Sequence, residues 1–138
     1  MLCVLAIVVG CASSTPRTPA ISQFEDIPVV KSMEFQPGKS IISESPIAKF
    51  GRLVYRGRIE PQSLGNVQRT TLEANDWKHV NTTSTANRGT EQVYEKNRNN
   101  LRVHIYEGLW YTYMELEVLR VLAPPGASAP PSALSTPR

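Results

Sequence analysis

Alternation with period two dominates the second half of the chain. Leu101, Val103 and Ile105 alternate with Arg102, His104 and Tyr106. Trp110, Thr112, Met114, Leu116 and Val118 alternate with Tyr111, Tyr113, Glu115 and Glu117. Successive side chains of a strand point to opposite faces, so each run predicts a strand with one apolar and one polar face. Gln92 to Lys96, holding Val93 and Tyr94, and the Thr-rich Lys78 to Thr85 predict two more. Asn87-Arg88-Gly89, Asn97-Arg98-Asn99-Asn100 and Glu107-Gly108 supply turn residues between them. Four strands at hairpin spacing predict an antiparallel sheet.

Upstream the period changes. Gly51 to Ile59 reads as a strand with Leu53, Tyr55, Gly57 and Ile59 on one side. Arg52, Val54, Arg56 and Arg58 lie on the other. Glu60-Pro61 then opens a helix, with Pro in its favoured first-turn place. Leu64, Val67, Thr71, Leu72 and Ala74 form its apolar stripe. Asn75-Asp76 ends the helix, and Trp77 is predicted to insert beneath it. Pro28, Pro37 and Pro46 exclude a helix over Ile21 to Ser45. Within that stretch Ile27-Pro28-Val29-Val30 reads as an edge strand or an apolar clip. Gln36-Pro37-Gly38-Lys39 reads as a turn and Ser40 to Ser45 as a short strand. The prediction is an α+β domain over residues 26–122: an antiparallel β-sheet of about five to six strands with one helix packed on one face, in the order ββαββββ. The opposite face is expected to be open, or met in part by the N-terminal arm.

Composition narrows the class. A chain of 138 residues, 41% hydrophobic and 20% charged, allows one globular domain. A net charge of +3 is too small to argue for nucleic acid. Cys3 and Cys11 are the only cysteines, which excludes a disulfide framework or a cysteine zinc site in the body of the chain. Residues 123–138 hold five prolines among Ala, Ser and Gly and are predicted to be a disordered tail.

The first residues, Met-Leu-Cys-Val-Leu-Ala-Ile-Val-Val-Gly, form an apolar run ending in a small residue, as a secretory signal does. Val8-Val9-Gly10-Cys11 resembles the bacterial lipobox. That resemblance implies a signal peptide over residues 1–10, cleavage before Cys11, and covalent lipid (palmitate among its acyl chains) on Cys11. No Lys or Arg precedes the apolar run, and a start codon upstream would account for that. Residues 11–25 then serve as the lipidated Cys and a flexible tether, rich in Ser, Thr and Pro. Ala12 is not the Asp that often marks inner-membrane retention, so the resemblance points to the periplasmic face of the outer membrane.

The body carries a second resemblance. Ile27-Pro28-Val29, Met33, Phe35, Ser40, Glu44-Ser45, Gly51, Leu53-Val54-Tyr55-Arg56-Gly57, Asn75-Asp76-Trp77 and Tyr94-Glu95-Lys96 are similar to a group of small uncharacterised lipoproteins of bacterial envelopes. Their pattern places Gly where Asp76 stands here. The strand–helix–strand order also resembles, in topology alone, the repeated domain of the C-component lipoprotein of the outer-membrane β-barrel assembly machinery. Neither resemblance implies a catalytic residue.

Direct inspection for chemistry gives little. His79 and His104 have no ligand partner at i+2 or i+4, so no metal site is expected. Glu115 and Glu117 share a strand face, whereas glycosidase carboxylates come from separate elements; a solvated edge is the expected role. Neither a Gly-x-Ser-x-Gly elbow nor a glycine-rich phosphate loop is present. The expectation is therefore no enzyme, no catalytic residue, no metal and no cofactor beyond the lipid on Cys11. One constellation remains: Arg52, Arg56 and Arg58, then Arg102, His104 and Tyr106, then Tyr111 and Tyr113. If these share a face, they form either an interface rich in Arg and Tyr or a solvated face with cross-strand Arg–Glu pairs. The sequence thus predicts a non-enzymatic, outer-membrane-anchored lipoprotein, a structural or accessory subunit that binds another envelope protein. The alternative is a periplasmic small-ligand or glycan-binding module, with Trp110 and the tyrosines as stacking platforms. Nucleic acid is not an expected partner of an exported chain.

Overall fold

The computed structural model describes Phe24 and residues 26–122. The signal peptide, Cys11, the tether apart from Phe24, and the tail 123–138 lie outside the described residues. The elements run β1 (Glu34–Phe35), β2 (Ile41–Glu44), β3 (Ala48–Gly57), α1 (Pro61–Glu73), β4 (Lys78–Thr85), β5 (Gly89–Lys96), β6 (Asn99–Glu107) and β7 (Thr112–Val121). The class is α+β. All the strands join one antiparallel sheet in the order β1-β3-β7-β6-β5-β4, with β2 also paired to β3, beside β1. The expected order ββαββββ gains a two-residue strand, β1, which pairs Glu34 with Arg56 and Phe35 with Tyr55. Two-residue ladders leave no periodic signal in a sequence. The expected strand Gly51 to Ile59 begins earlier, at Ala48, and ends at Gly57.

Register fixes the two faces. Leu53 pairs with Leu116, Tyr55 with Met114, and Leu101, Val103 and Ile105 pair with Val118, Leu116 and Met114. These side chains are buried on one face and form the core with Leu64 and Leu72 of α1, Trp77 and Tyr94. Each such aliphatic residue removed from water contributes about 1.5–3 kcal/mol. The helix packs on β4, β5 and β6. The remaining part of that face is covered from the N-terminal side by Phe24, Ile27 and Met33, with Val29 and Val30 packed against the cluster. Ile27 to Val30 is thus an apolar clip, not an edge strand. Phe24, expected within the flexible tether, is buried beside Gly51, where an added Cβ would lie 2.5 Å from the Phe24 ring.

Helix α1 starts at Pro61 because Glu60 caps it: the carboxylate accepts from the backbone amides of Gln62 (2.8 Å) and Ser63 (2.6 Å). The Ser63 side chain, followed by those two backbone hydrogen bonds, holds the Glu60 carboxyl below its ordinary pKa. The helix buries Leu64 and Leu72 of the expected stripe, together with Gly65 and Gln68. Val67 and Ala74 are exposed. Gln68 takes an inward place because its amide donates to the carbonyl of Pro28 at 2.8 Å, tying the clip to the helix. The helix ends in a Schellman motif. The Trp77 amide donates to Leu72 O (3.1 Å) and the Asp76 amide to Glu73 O (3.2 Å), with Asp76 at φ +64°. Asp76 thus holds a left-handed place that favours glycine. Trp77 is 1% exposed, and its indole donates to Asp26 O at 3.2 Å.

Turn chemistry sets the hairpins. Asn97 (φ +48°) and Arg98 (φ +66°) form a two-residue β5–β6 turn with both centres at positive φ, so Asn99 and Asn100 belong to β6 rather than to the turn. Gly89 (φ +81°) ends the β4–β5 loop, and any Cβ there would overlap the carbonyl oxygen of Ile105. None of the helices among the described residues is long and apolar enough to cross a membrane.

Candidate functional site on the open sheet face

The face opposite α1 carries every other residue of the central strands. Arg52, Val54 and Arg56 come from β3, Tyr113, Glu115 and Glu117 from β7, and Arg102, His104 and Tyr106 from β6. Six of the eight predicted interface residues lie on this face, and Tyr111 and Arg58 stand together at its upper rim. Arg58, just beyond the end of β3, is exposed, and its guanidinium lies 5.4 Å from the ring centre of Tyr111. Tyr111 precedes β7 and sits at the rim, with the Arg56 guanidinium also close to its ring centre, at 4.9 Å.

The face divides into two halves of different chemistry. The lower half is an ion-pair lattice. Arg52 pairs with Glu115 and lies 3.9 Å from Glu117. Arg102 pairs with Glu117 and lies 3.6 Å from Glu91. The lattice follows from register, since Glu117 stands directly between Arg52 and Arg102. The expected basic face is therefore self-neutralised where it is densest. Glu115, expected to be solvated, is 6% exposed. A buried carboxylate needs its countercharge, and Arg52 supplies it. His104 stands across from both Glu91 and Glu115. Its Nε2 donates to Arg88 O at 2.6 Å, because a carbonyl only accepts, and so joins β6 to the β4–β5 loop. These residues line a groove of about 790 Å³.

The upper half is aromatic. Tyr106 and Tyr113 face each other across β6 and β7 with ring centres 5.4 Å apart and planes 14° from parallel. The His104 ring lies 5.0 Å from that of Tyr106, tilted by 34°. Lys39 Nζ lies 4.7 Å over the Tyr113 ring. It comes from the turn Pro37–Lys39, which sits against β3: Gln36 N donates to Val54 O (2.8 Å) and Val54 N to Ser40 Oγ (2.9 Å). That turn explains why Val54, on the polar side of its strand, is buried. Here the N-terminal arm does meet the open face. Arg56 donates to Glu34 through Nε (3.1 Å) and Nη2 (3.0 Å), and this hydrogen bond raises its pKa.

Sequence reasoning missed Lys39, Glu34 and Glu91. Their places depend on pairings that no local pattern shows. Trp110, expected on an inward strand position, instead stands in the β6–β7 turn and is 81% exposed. The signal was present: Gly108 two residues earlier places Trp110 inside the loop. His79 lies 2.7 Å from Thr82 Oγ1 and edge-on to Tyr94. Among the described residues no three His, Cys, Asp or Glu converge to hold a metal ion. No family model, no curated protein and no solved structure matches the chain.

Proposed function

We propose that this chain is a non-enzymatic lipoprotein, held by lipid on Cys11 at the periplasmic face of a bacterial outer membrane, and that it is an accessory subunit that docks another envelope protein. The docking surface is the aromatic half of the open sheet face: Tyr106, Tyr113, Arg56 and Tyr111, flanked by Arg58. The observation that carries this reading is the half-buried Tyr106–Tyr113 stack with cations set against it. Tyr and Arg dominate interface hot spots because they bury much area and keep a polar tip. Stacking holds these rings in place, so little side-chain entropy remains to be lost on binding. The ion-pair lattice beside them supplies a polar rim. The glycan alternative is less favoured, since a sugar stacks on an open ring face. Here Tyr106 and Tyr113 cover each other, and His104 and Lys39 lie close against them.

Two experiments test the proposal. Labelling with a fatty-acid analogue is expected in the wild type and lost in Cys11→Ala; label persisting in the variant overturns the anchor. Capture from envelope extract is expected to yield one stoichiometric protein, bound about 30-fold more weakly by Arg56→Ala or Tyr106→Ala. Full binding by both folded variants overturns the docking surface.

A further inference from the structure

We propose that Leu109 and Trp110, at the tip of the β6–β7 hairpin, form an insertion point that seats this end of the domain in the headgroup layer of a phospholipid bilayer. The inference goes beyond the docking reading and does not need it.

Leu109 is 96% exposed and Trp110 81% exposed, side by side. The turn that presents them is built. Gly108 N donates to Tyr111 O at 2.8 Å, closing the loop. A Cβ on Gly108 would lie 2.7 Å from Tyr113 Cε2, so the backbone is seated against the aromatic stack. Tyr111, the next residue, has two guanidiniums against its ring. Two large apolar side chains are thus held in water by a fixed loop rather than folded back onto the domain.

The surroundings favour lipid over protein as the occupant. Two side chains offer roughly 400 Å² at most, about half of what one partner of a stable protein interface buries. Trp is the residue of the membrane–water boundary, with its ring among headgroups, and a neighbouring Leu reaches the acyl region. Tyr111 and Arg58 form the collar below them, an aromatic ring and a cation suited to headgroup phosphates. Of the charged groups beside the tip, Glu60 spends its carboxylate on the helix N-terminus. Glu107 opposes insertion and Arg58 favours it.

Chain length permits the geometry. The domain is entered at Phe24, beside Gly51 and Val118, at the opposite end of β7 from the tip. The ten residues of β7 span about 34 Å. The thirteen Cα steps from Cys11 to Phe24 reach about 45 Å when extended, so a chain anchored at Cys11 can bring its far end down to the same bilayer.

The test uses the full chain with vesicles of phosphatidylethanolamine and phosphatidylglycerol, and matched vesicles with brominated acyl chains. Trp77 is buried, so changes in quenching belong to Trp110. The apolar N-terminal segment can bind vesicles by itself, and a readout local to Trp110 separates the two contacts. On vesicles, iodide quenching of Trp110 is expected to fall at least about threefold, and brominated chains are expected to quench it. Trp110→Phe should lose both responses. In Leu109→Ser, the quenching of Trp110 by brominated chains should weaken about tenfold, as expected for loss of a buried aliphatic side chain. The proposal is overturned if vesicle-bound chain keeps Trp110 open to iodide and blind to bromine, or if the chain leaves vesicles untouched. It is also overturned if Trp110 becomes shielded only when an envelope protein is added.

Discussion

Truncating Trp77 to Ala should remove the element that joins helix, sheet and N-terminal clip. The indole is 1% exposed and lies in the cluster that holds Leu64, Leu72 and Tyr94. Its N–H satisfies Asp26 O, and its backbone amide closes the helix end on Leu72. Loss of a buried Trp costs about 3–5 kcal/mol through transfer and cavity terms. A freed Asp26 carbonyl in a partly buried place adds about 1 kcal/mol unless water reaches it. A domain of this size has about 5–15 kcal/mol in total. The expected total loss of about 4–6 kcal/mol lowers the melting temperature by about 16–48 °C, since 1 kcal/mol moves a domain of this size by about 4–8 °C. Urea denaturation followed by far-UV circular dichroism measures it, with the slope m checked against wild type. Trp77→Phe keeps most of the ring and loses the N–H, so it should fall between the two. The docking of α1 as described is refuted if Trp77→Ala melts within a few degrees of wild type with an unchanged slope.

Other outcomes follow from single sites. Asp76→Gly should stabilise the protein by about 0.5–1 kcal/mol, because glycine occupies φ +64° without the Cβ penalty; a lower melting temperature contradicts the cap. Arg52→Ala should cost about 1–3 kcal/mol by stranding the Glu115 carboxylate, and adding Glu115→Gln should recover most of it; a simple sum of two losses in the denaturation midpoints contradicts the pairing. Burial raises the hydroxyl pKa of Tyr55 and Tyr94 from 10.0 to about 12. The neutral form is the one the fold favours, so this stability is complete below pH 10 and is lost as the pH rises through about 12. Denaturation midpoints from pH 9 to 12 should fall for the wild type and less steeply for Tyr55→Phe; equal slopes would contradict the burial.

What was legible in the sequence was whatever repeats locally. Alternation at Leu101-Val103-Ile105 and Met114-Leu116-Val118 marks the central strands and their inward faces, and Glu60-Pro61 marks the helix start. Most of the misread positions share a different cause: a distant partner decides them. Val67 outranks Gln68 in hydrophobicity, yet Gln68 is buried because the Pro28 carbonyl awaits its amide. β1 exists because β3 offers an edge. The arginine spacing left an interface and a solvated face with cross-strand Arg–Glu pairs both open, because the register that lays Glu115 and Glu117 against the arginines is not visible in it. Trp110 kept the phase of the strand that follows it, so alternation ran one step too far back, into the turn. Lys39 reached the aromatic stack from a turn whose sequence says only that the chain reverses. Trp110 apart, the residue type was readable and its distant partner was not.

The claim that the aromatic half of the open face is a working surface can be tested at one position. A photo-crosslinking amino acid replaces Tyr106 in one strain and Thr70, exposed on the outer side of α1, in another. Both variants are expressed at native level in intact cells that carry the protein and irradiated. A single envelope protein crosslinked from position 106, absent from position 70 and depleted by Arg56→Ala, is the expected result. Crosslinks from position 70 alone, or none from position 106 while those from 70 persist, would contradict the account.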